Sequence, residues 1–161
     1  MIRGSVISST LACLALALAL QGCFSSPPRS ARPAPARVTV GQEIAMRAIS
    51  LLGAPYKWGA SGPNAFDCSG LVRFVHAQVG ISVPRTAAEQ FSAATPVDLD
   101  RIQPGDLLFF RIKGRRVSHV AIYAGDGRFI HAPQTGRPVE FRELEDEYYQ
   151  KRLVGAGRLF E

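Results

Sequence analysis

Apolar residues follow two different rhythms along this chain. Between residues 41 and 79 they recur every three or four positions. From about residue 105 onward they alternate or run together in short bursts. The first rhythm is helical and the second belongs to strands. Ile44, Ala45, Ala48, Ile49 and Leu52 mark one face of a helix over Gly41–Leu52, which Gly53 and Pro55 end. The glycine-rich stretch "YKWGASGPNAF" reads as an ordered loop. A second helix starts near Cys68, with Leu71, Val72, Val75 and Val79 as its inner stripe and Gly80 as its stop. A short helix is predicted over Thr86–Phe91, with Thr86 as cap and Glu89 completing a capping box.

The strand half begins with the turn and strand "PGDLLFF", followed by the short loop "KGRR". "SHVAIYAG", "GRFIHA" and "RPVEF" read as successive strands. "ELEDEYYQK" supplies one or two helical turns, and "LVGAGRLF" an edge or closing strand. Helices first and an antiparallel sheet second predict an α+β domain, and about 120 residues suffice for one core.

The amino end has a different character. Arg3 precedes an apolar run, Val6–Leu20, that is too short for a comfortable bilayer span of about 20 residues. This is a secretory-signal pattern. "LALQGC" then ends at Cys23 and resembles a bacterial lipoprotein signal, in which that cysteine becomes the lipidated first residue. Residues 1–22 are therefore expected to be a signal peptide and Cys23 a lipid anchor. Residues 23–37 form an expected tether: Phe24–Arg37 holds four prolines, three arginines and no acid. Residues 38–161 remain as the folded domain.

This division changes how the charge is read. The chain carries +6 overall, but Val38–Glu161 holds fifteen basic and thirteen acidic residues. The basic balance is thus no evidence for a nucleic-acid partner, and no zinc-finger spacing or phosphate-binding glycine loop is present. Of three cysteines, Cys13 lies in the signal and Cys23 would be acylated. Cys68 is then the single thiol of the mature chain. It lacks a Cys-x-x-Cys partner for redox work, and the histidine spacing fits no common metal site. No metal and no cofactor are expected.

Cys68 falls at the first turn of its helix, where unpaired N–H groups and the helix dipole favour a thiolate. On that basis it is expected to alkylate well below pH 8.5, with Asp67 as the helix cap or a partly opposing charge. A nucleophilic thiol needs a base. His119 and His131 are the candidates; His76, mid-helix, reads as a surface or packing residue. Strand parity tests the pair. A two-residue Asp126-Gly127 turn sets His131 opposite Ile122, away from His119. A three-residue loop sets it opposite Ala121, on His119's face. A shared site therefore predicts an odd loop or a compensating bulge. Spacing alone does not say which histidine has which task, and two strand histidines beside a buried thiol would be the bland alternative.

Together, "LLGAPYKWGASGPNAFDCSGLVRFV", "VPRTAAEQ", "PGDLLFF", "SHVAIYAGDGRFIHA" and "GRPVEF" resemble the NlpC/P60 superfamily of bacterial cell-wall cysteine peptidases, especially Gram-negative lipoprotein endopeptidases. The resemblance implies a papain-like α+β domain, with N-terminal helices packed on an antiparallel sheet. It implies Cys68 as nucleophile, His119 as general base and His131 as the orienting third residue. Tyr56 matches a tyrosine near the oxyanion site, wall packing beside Trp58 being its alternative. The implied partners are peptidoglycan peptides, cut at the meso-diaminopimelate–D-alanine cross-link or, alternatively, at the γ-D-glutamyl–diaminopimelate bond. A non-catalytic wall-binding lipoprotein is a remoter alternative. Arg85, Arg115, Arg116 and Arg137 are candidates for meeting substrate carboxylates. The expected setting is a monomeric catalytic domain on an outer-membrane lipoprotein facing the periplasm.

Overall fold

The structure, a computed structural model, describes residues 37–161. The expected signal, the lipidated Cys23 and all of the tether except Arg37 lie outside the described residues. Three helices come first: α1 (Val40–Ile49), α2 (Cys68–Ala77) and α3 (Ala87–Ala93). Six strands follow: β1 (Thr95–Val97), β2 (Leu107–Phe110), β3 (His119–Gly125), β4 (Arg128–His131), β5 (Glu140–Glu143) and β6 (Leu153–Arg158). A single turn of helix, α4 (Glu147–Gln150), lies between β5 and β6. The strands form one antiparallel sheet in the order β1-β6-β2-β3-β4-β5.

Polar side chains set the helix starts. Thr86 and Glu89 make the expected reciprocal capping box on α3, and Thr39 and Gln42 make another on α1. Asp67 caps α2. The apolar stripes of α1 and α2 then fall on one face of the sheet. Ile44, Ala48, Leu71, Val72 and Val75 meet Leu107, Phe109, Val120, Ile122 and Ile130 in one cluster. The other face carries Leu108, Phe110, Ala121 and Phe129, closed by Tyr149 of α4. Both faces of β2 are therefore dry, which explains why "LLFF" is a continuous apolar run rather than an alternation.

Three expectations need correction. First, β6 is no edge or closing strand: it sits between β1 and β2. Its edge is taken by β1, a three-residue strand whose Pro96 hid it, since proline is tolerated in a sheet chiefly at the border. Second, "RPVEF" is a strand only from Glu140. Upstream, Val139 pairs with the loop after α1 instead, donating to Ala54 O and accepting from Gly53 N. Third, α1 stops at Ile49 and α2 at Ala77, so Leu52 and Val79 lie just beyond the helices. Of the two readings of His76, surface or packing, the structure takes the second: it is fully buried, with Nδ1 2.8 Å from the Val72 carbonyl.

The β3–β4 hairpin decides where His131 points. Asp126 and Gly127 form a two-residue turn with φ of +51° and +70°, the left-handed pair that fits a tight hairpin. Gly125 pairs with Arg128, and Tyr123 with Phe129. Ala124 is left over as a bulge. That extra residue restores the parity, so His131 shares the face of His119, as the compensating-bulge alternative required.

The turn into β2 is held against α1 by two glycines. A Cβ on Gly105, whose φ is +94°, would lie 2.5 Å from the Gly41 carbonyl oxygen. Gly136 has a similar φ, +84°, and open space around it. Gly105→Ala is expected to lower stability by about 2–4 kcal/mol, and Gly136→Ala by about 1 kcal/mol. Urea midpoints of the two variants separate backbone strain from steric conflict.

Candidate active site

The site forms where the start of α2 meets the start of β3. Asp67 is the hub. Its carboxylate accepts from Gly70 N at 2.7 Å and Gly59 N at 2.9 Å, and pairs with the Arg85 guanidinium through both oxygens. Arg85 also donates to Ser69 Oγ at 3.0 Å. Burial pushes Asp67 up, but the Arg85 hydrogen bonds, the Gly70 and Gly59 N–H groups and the Arg85 charge outweigh it. They hold the carboxyl below the usual range. Gly70 is needed here because a Cβ would meet the Ala60 carbonyl oxygen at 2.0 Å. Arg85, expected as a contact for substrate carboxylates, is instead spent on Asp67.

Cys68 is the first residue of α2, as expected. Among the described residues its own N–H and that of Ser69 find no oxygen acceptor and are directed instead at the Cys68 sulfur. The expectation of a lowered thiol pKa is not met. Burial pushes the Cys68 thiol up, and the Asp67 charge adds to this. The backbone N–H groups of Val120, Ser69 and Cys68 oppose the rise without reversing it. Desolvation of the charged form outweighs the helix terminus. The Val120 N–H belongs to the residue after His119 on β3. Tyr56 is half-buried, tied to Phe66 through a backbone bridge. Its hydroxyl makes no hydrogen bond among the described residues. Burial raises its pKa, and the Cys68 and Asp67 charges add to the rise. Trp58, 81% exposed, lines the same cavity as Cys68.

The two strand histidines are brought together. His119 Nε2 and His131 Nδ1 lie 2.9 Å apart, with both rings buried. Tyr149 packs edge-on against His131 at 5.1 Å between centroids, and Phe110 lies 6.0 Å from His119. Burial lowers the pKa of His119, and His131 adds to the shift. Burial also lowers that of His131, with help from the charges of Arg142 and Arg137. Both are neutral at pH 7. The outer nitrogen of His131, Nε2, has no hydrogen-bond partner among the described residues, and Glu140 Oε1 is 3.5 Å from it.

Glu140 is a site residue that the sequence reading missed. The signal was present in the pairing, since Glu140 sits directly opposite His131 on β5. Arg137 grips both Glu140 oxygens, at 2.7 and 2.9 Å, and Arg142 Nε donates to Oε1 at 3.1 Å. Arg115 and Arg116 lie exposed in the loop before β3.

Residues 53–158 match the model of the NlpC/P60 family. The chain belongs to the NlpC/P60 family. It is 40% identical over 130 residues to murein DD-endopeptidase MepH of Escherichia coli, covering 77% of this chain and 48% of that protein. It is 34% identical over 134 residues to the bifunctional muramidase/DL-endopeptidase CwlT of Bacillus subtilis, covering 81% and 40%. Among solved structures, the NlpC/p60 domain of the peptidoglycan hydrolase SagA is 36% identical, with a TM-score of 0.64, and covers 73% of this chain and 97% of that one. An NlpC/P60 family protein of Bacillus cereus is 34% identical at a TM-score of 0.72, covering 78% and 42%. The chain thus spans about half or less of the length of these two curated relatives. The family and these neighbours bear out the α+β reading.

Two measurements follow from the burial. His76, His119 and His131 all have folded pKa values pushed below the ordinary histidine range. The unfolded chain therefore binds more protons below about pH 6.5, and stability falls as pH drops from there. Each histidine contributes up to about 1.4 kcal/mol per pH unit. Urea unfolding at pH 7.5 and 5.5 should show the loss, and His76→Gln should reduce the slope by less than one proton. Separately, the iodoacetamide rate at Cys68 should reach half its plateau at a higher pH than a free cysteine peptide, near pH 8.5.

Proposed function

We propose that this protein is a peptidoglycan endopeptidase that hydrolyses the meso-diaminopimelate–D-alanine cross-link through Cys68. The observation that carries the reading is the His119–His131 pair, 2.9 Å apart at the β3 end where the Cys68 sulfur rests. Membership of the NlpC/P60 family and the names of the endopeptidase relatives support it.

In the proposed mechanism a carboxylate fixes the tautomer. Glu140 favours a proton on the nitrogen that faces it, so His131 carries its hydrogen on Nε2. Nδ1 of His131 then accepts from Nε2–H of His119. This leaves the lone pair of His119 on Nδ1, as the base. Substrate binding displaces water from an already neutral thiol–imidazole pair. His119 takes the Cys68 proton as sulfur attacks the amide carbonyl. The developing oxyanion is met by the Cys68 N–H and the unpaired Tyr56 hydroxyl. His119 next protonates the departing amine, and the acyl group remains as a thioester. Water, activated by the same imidazole, releases the acid and restores the thiol.

The γ-D-glutamyl–diaminopimelate bond is the second reading, favoured by the DL-endopeptidase named among the relatives. In either case Cys23 is the proposed lipid anchor, holding a monomeric catalytic domain on the outer membrane toward the periplasm. The support for this is the "LALQGC" stretch and the proline-rich segment after it.

The test uses the purified full chain in detergent on intact sacculi, with Cys68→Ala as control and mass spectrometry of the muropeptides. Loss of cross-linked dimers with gain of intact tetrapeptide monomers, in the active sample alone, is the expected result. Products split after D-glutamate would move the assignment to the second bond. Wall binding with no Cys68-dependent product would replace the peptidase by the wall-binding reading.

A further inference from the structure

Two cavities lie at the start of β3, one reaching Ser118 and the other His119. One, of about 410 Å³, is lined by Cys68, Ser69, Trp58, Thr86 and Ser118. The other, of about 390 Å³, is lined by the next residue along the chain, His119, with Arg137, Arg142, Asp146, Tyr148 and Tyr149. The acyl half of the substrate stays bonded to sulfur and so must occupy the Cys68 cavity. The amine half must take its proton from His119 and leaves on the base's side.

The second cavity holds two arginines beside His119, their charge balanced by Glu140 and Asp146. Glu140 binds one edge of each arginine, through Arg137 Nη2 and Arg142 Nε. Among the described residues, both terminal nitrogens of Arg142 and Arg137 Nη1 make no hydrogen bond, so each guanidinium keeps a donor edge. Asp146 also lines the cavity, but its Oδ1 is turned to the N–H groups of Tyr148 and Tyr149 as the cap of α4. Glu140 thus acts as a bracket that holds two cations side by side next to the base. An arginine edge matches a carboxylate geometrically as well as in charge.

We infer that the Arg137–Arg142 cavity is the leaving-group subsite, and that it binds the free carboxylate on the carbon bearing the departing amine. This rests on the cross-link reading and deepens it. In the cross-link, the departing amine belongs to the D-centre of diaminopimelate, whose carbon carries a free carboxylate. In the γ-glutamyl bond, the departing amine sits on the L-centre, and that carboxyl is consumed in the amide to D-alanine. A subsite of this kind therefore selects the first bond over the second by a charge the second lacks. Proximity of the two cations also helps keep His131 neutral, so the same residues serve binding and the state of the relay.

The experiment compares two soluble cross-linked tetrapeptide dimers, one with the acceptor diaminopimelate carboxylate free and one with it amidated. The purified full chain, Arg142→Gln and Arg137→Gln are assayed on both, with thermal unfolding as a check on folding. For the unaltered protein, amidation should lower kcat/KM about 10- to 100-fold. Arg142→Gln should cause a similar loss on the free carboxylate and little further loss on the amidated dimer, with Arg137→Gln in the same direction. Equal losses on both substrates would mean that the arginines act only through Glu140 and His131, and would overturn the subsite. Indifference of the unaltered protein to amidation would overturn it too. Cleavage confined to the glutamyl bond would overturn the cross-link reading itself and the subsite with it.

Discussion

One buried carboxylate holds the helical side of the site in place. Asp67 has to stop the chain, start α2 and hold the following residue still, and it does so by accepting from three directions. The Gly70 N–H ties it to the helix, the Gly59 N–H to the loop before, and Arg85 to the segment before α3. Because the hub is buried and ionised, none of these donors can be dropped without leaving charge uncompensated. α3 is fastened to the same spot: Gln90, buried, donates through Nε2 to the Ser69 carbonyl at 3.0 Å and the Pro84 carbonyl at 2.8 Å. The thiol therefore sits on a rigid mount supplied by three separate stretches of chain.

The sheet supplies the other half by a different route. The helices pack on one face, whereas the imidazoles belong to the opposite one, among Phe110, Phe129 and Tyr149. The two halves meet at the start of β3, where His119 begins the strand and the Val120 N–H is directed at the Cys68 sulfur. Ala124 is what permits this. Without the bulged residue, the tight turn at Asp126-Gly127 would aim His131 into the helix-facing core.

Much of this was readable beforehand because local rules and global packing agree. The stripes of α1 and α2, the Thr86 cap and the need for a bulge or odd loop all follow from period and parity. What failed has identifiable causes. β1 is a three-residue border strand carrying a proline, below the length at which alternation can be recognised. The placement of β5 depends on the partner Val139 finds across the fold, which no local pattern encodes. The thiol's pKa was misjudged because a helix terminus is visible in sequence but desolvation is not. Glu140 and Arg142 escaped notice for a related reason: charged residues in a short strand look solvated until the register sets them against a buried imidazole.

The raised thiol has a consequence outside the reaction. Disulfide exchange and peroxide oxidation proceed through the thiolate, and a cysteine kept as the neutral thiol offers little of it. An exposed, ionised cysteine would attack a disulfide, forming a mixed disulfide and releasing a thiolate, or be oxidised by peroxide. Here, burial at the foot of α2 raises the thiol's pKa and so lowers its share of thiolate. The same desolvation that works against thiolate formation slows reaction with any electrophile that needs the thiolate.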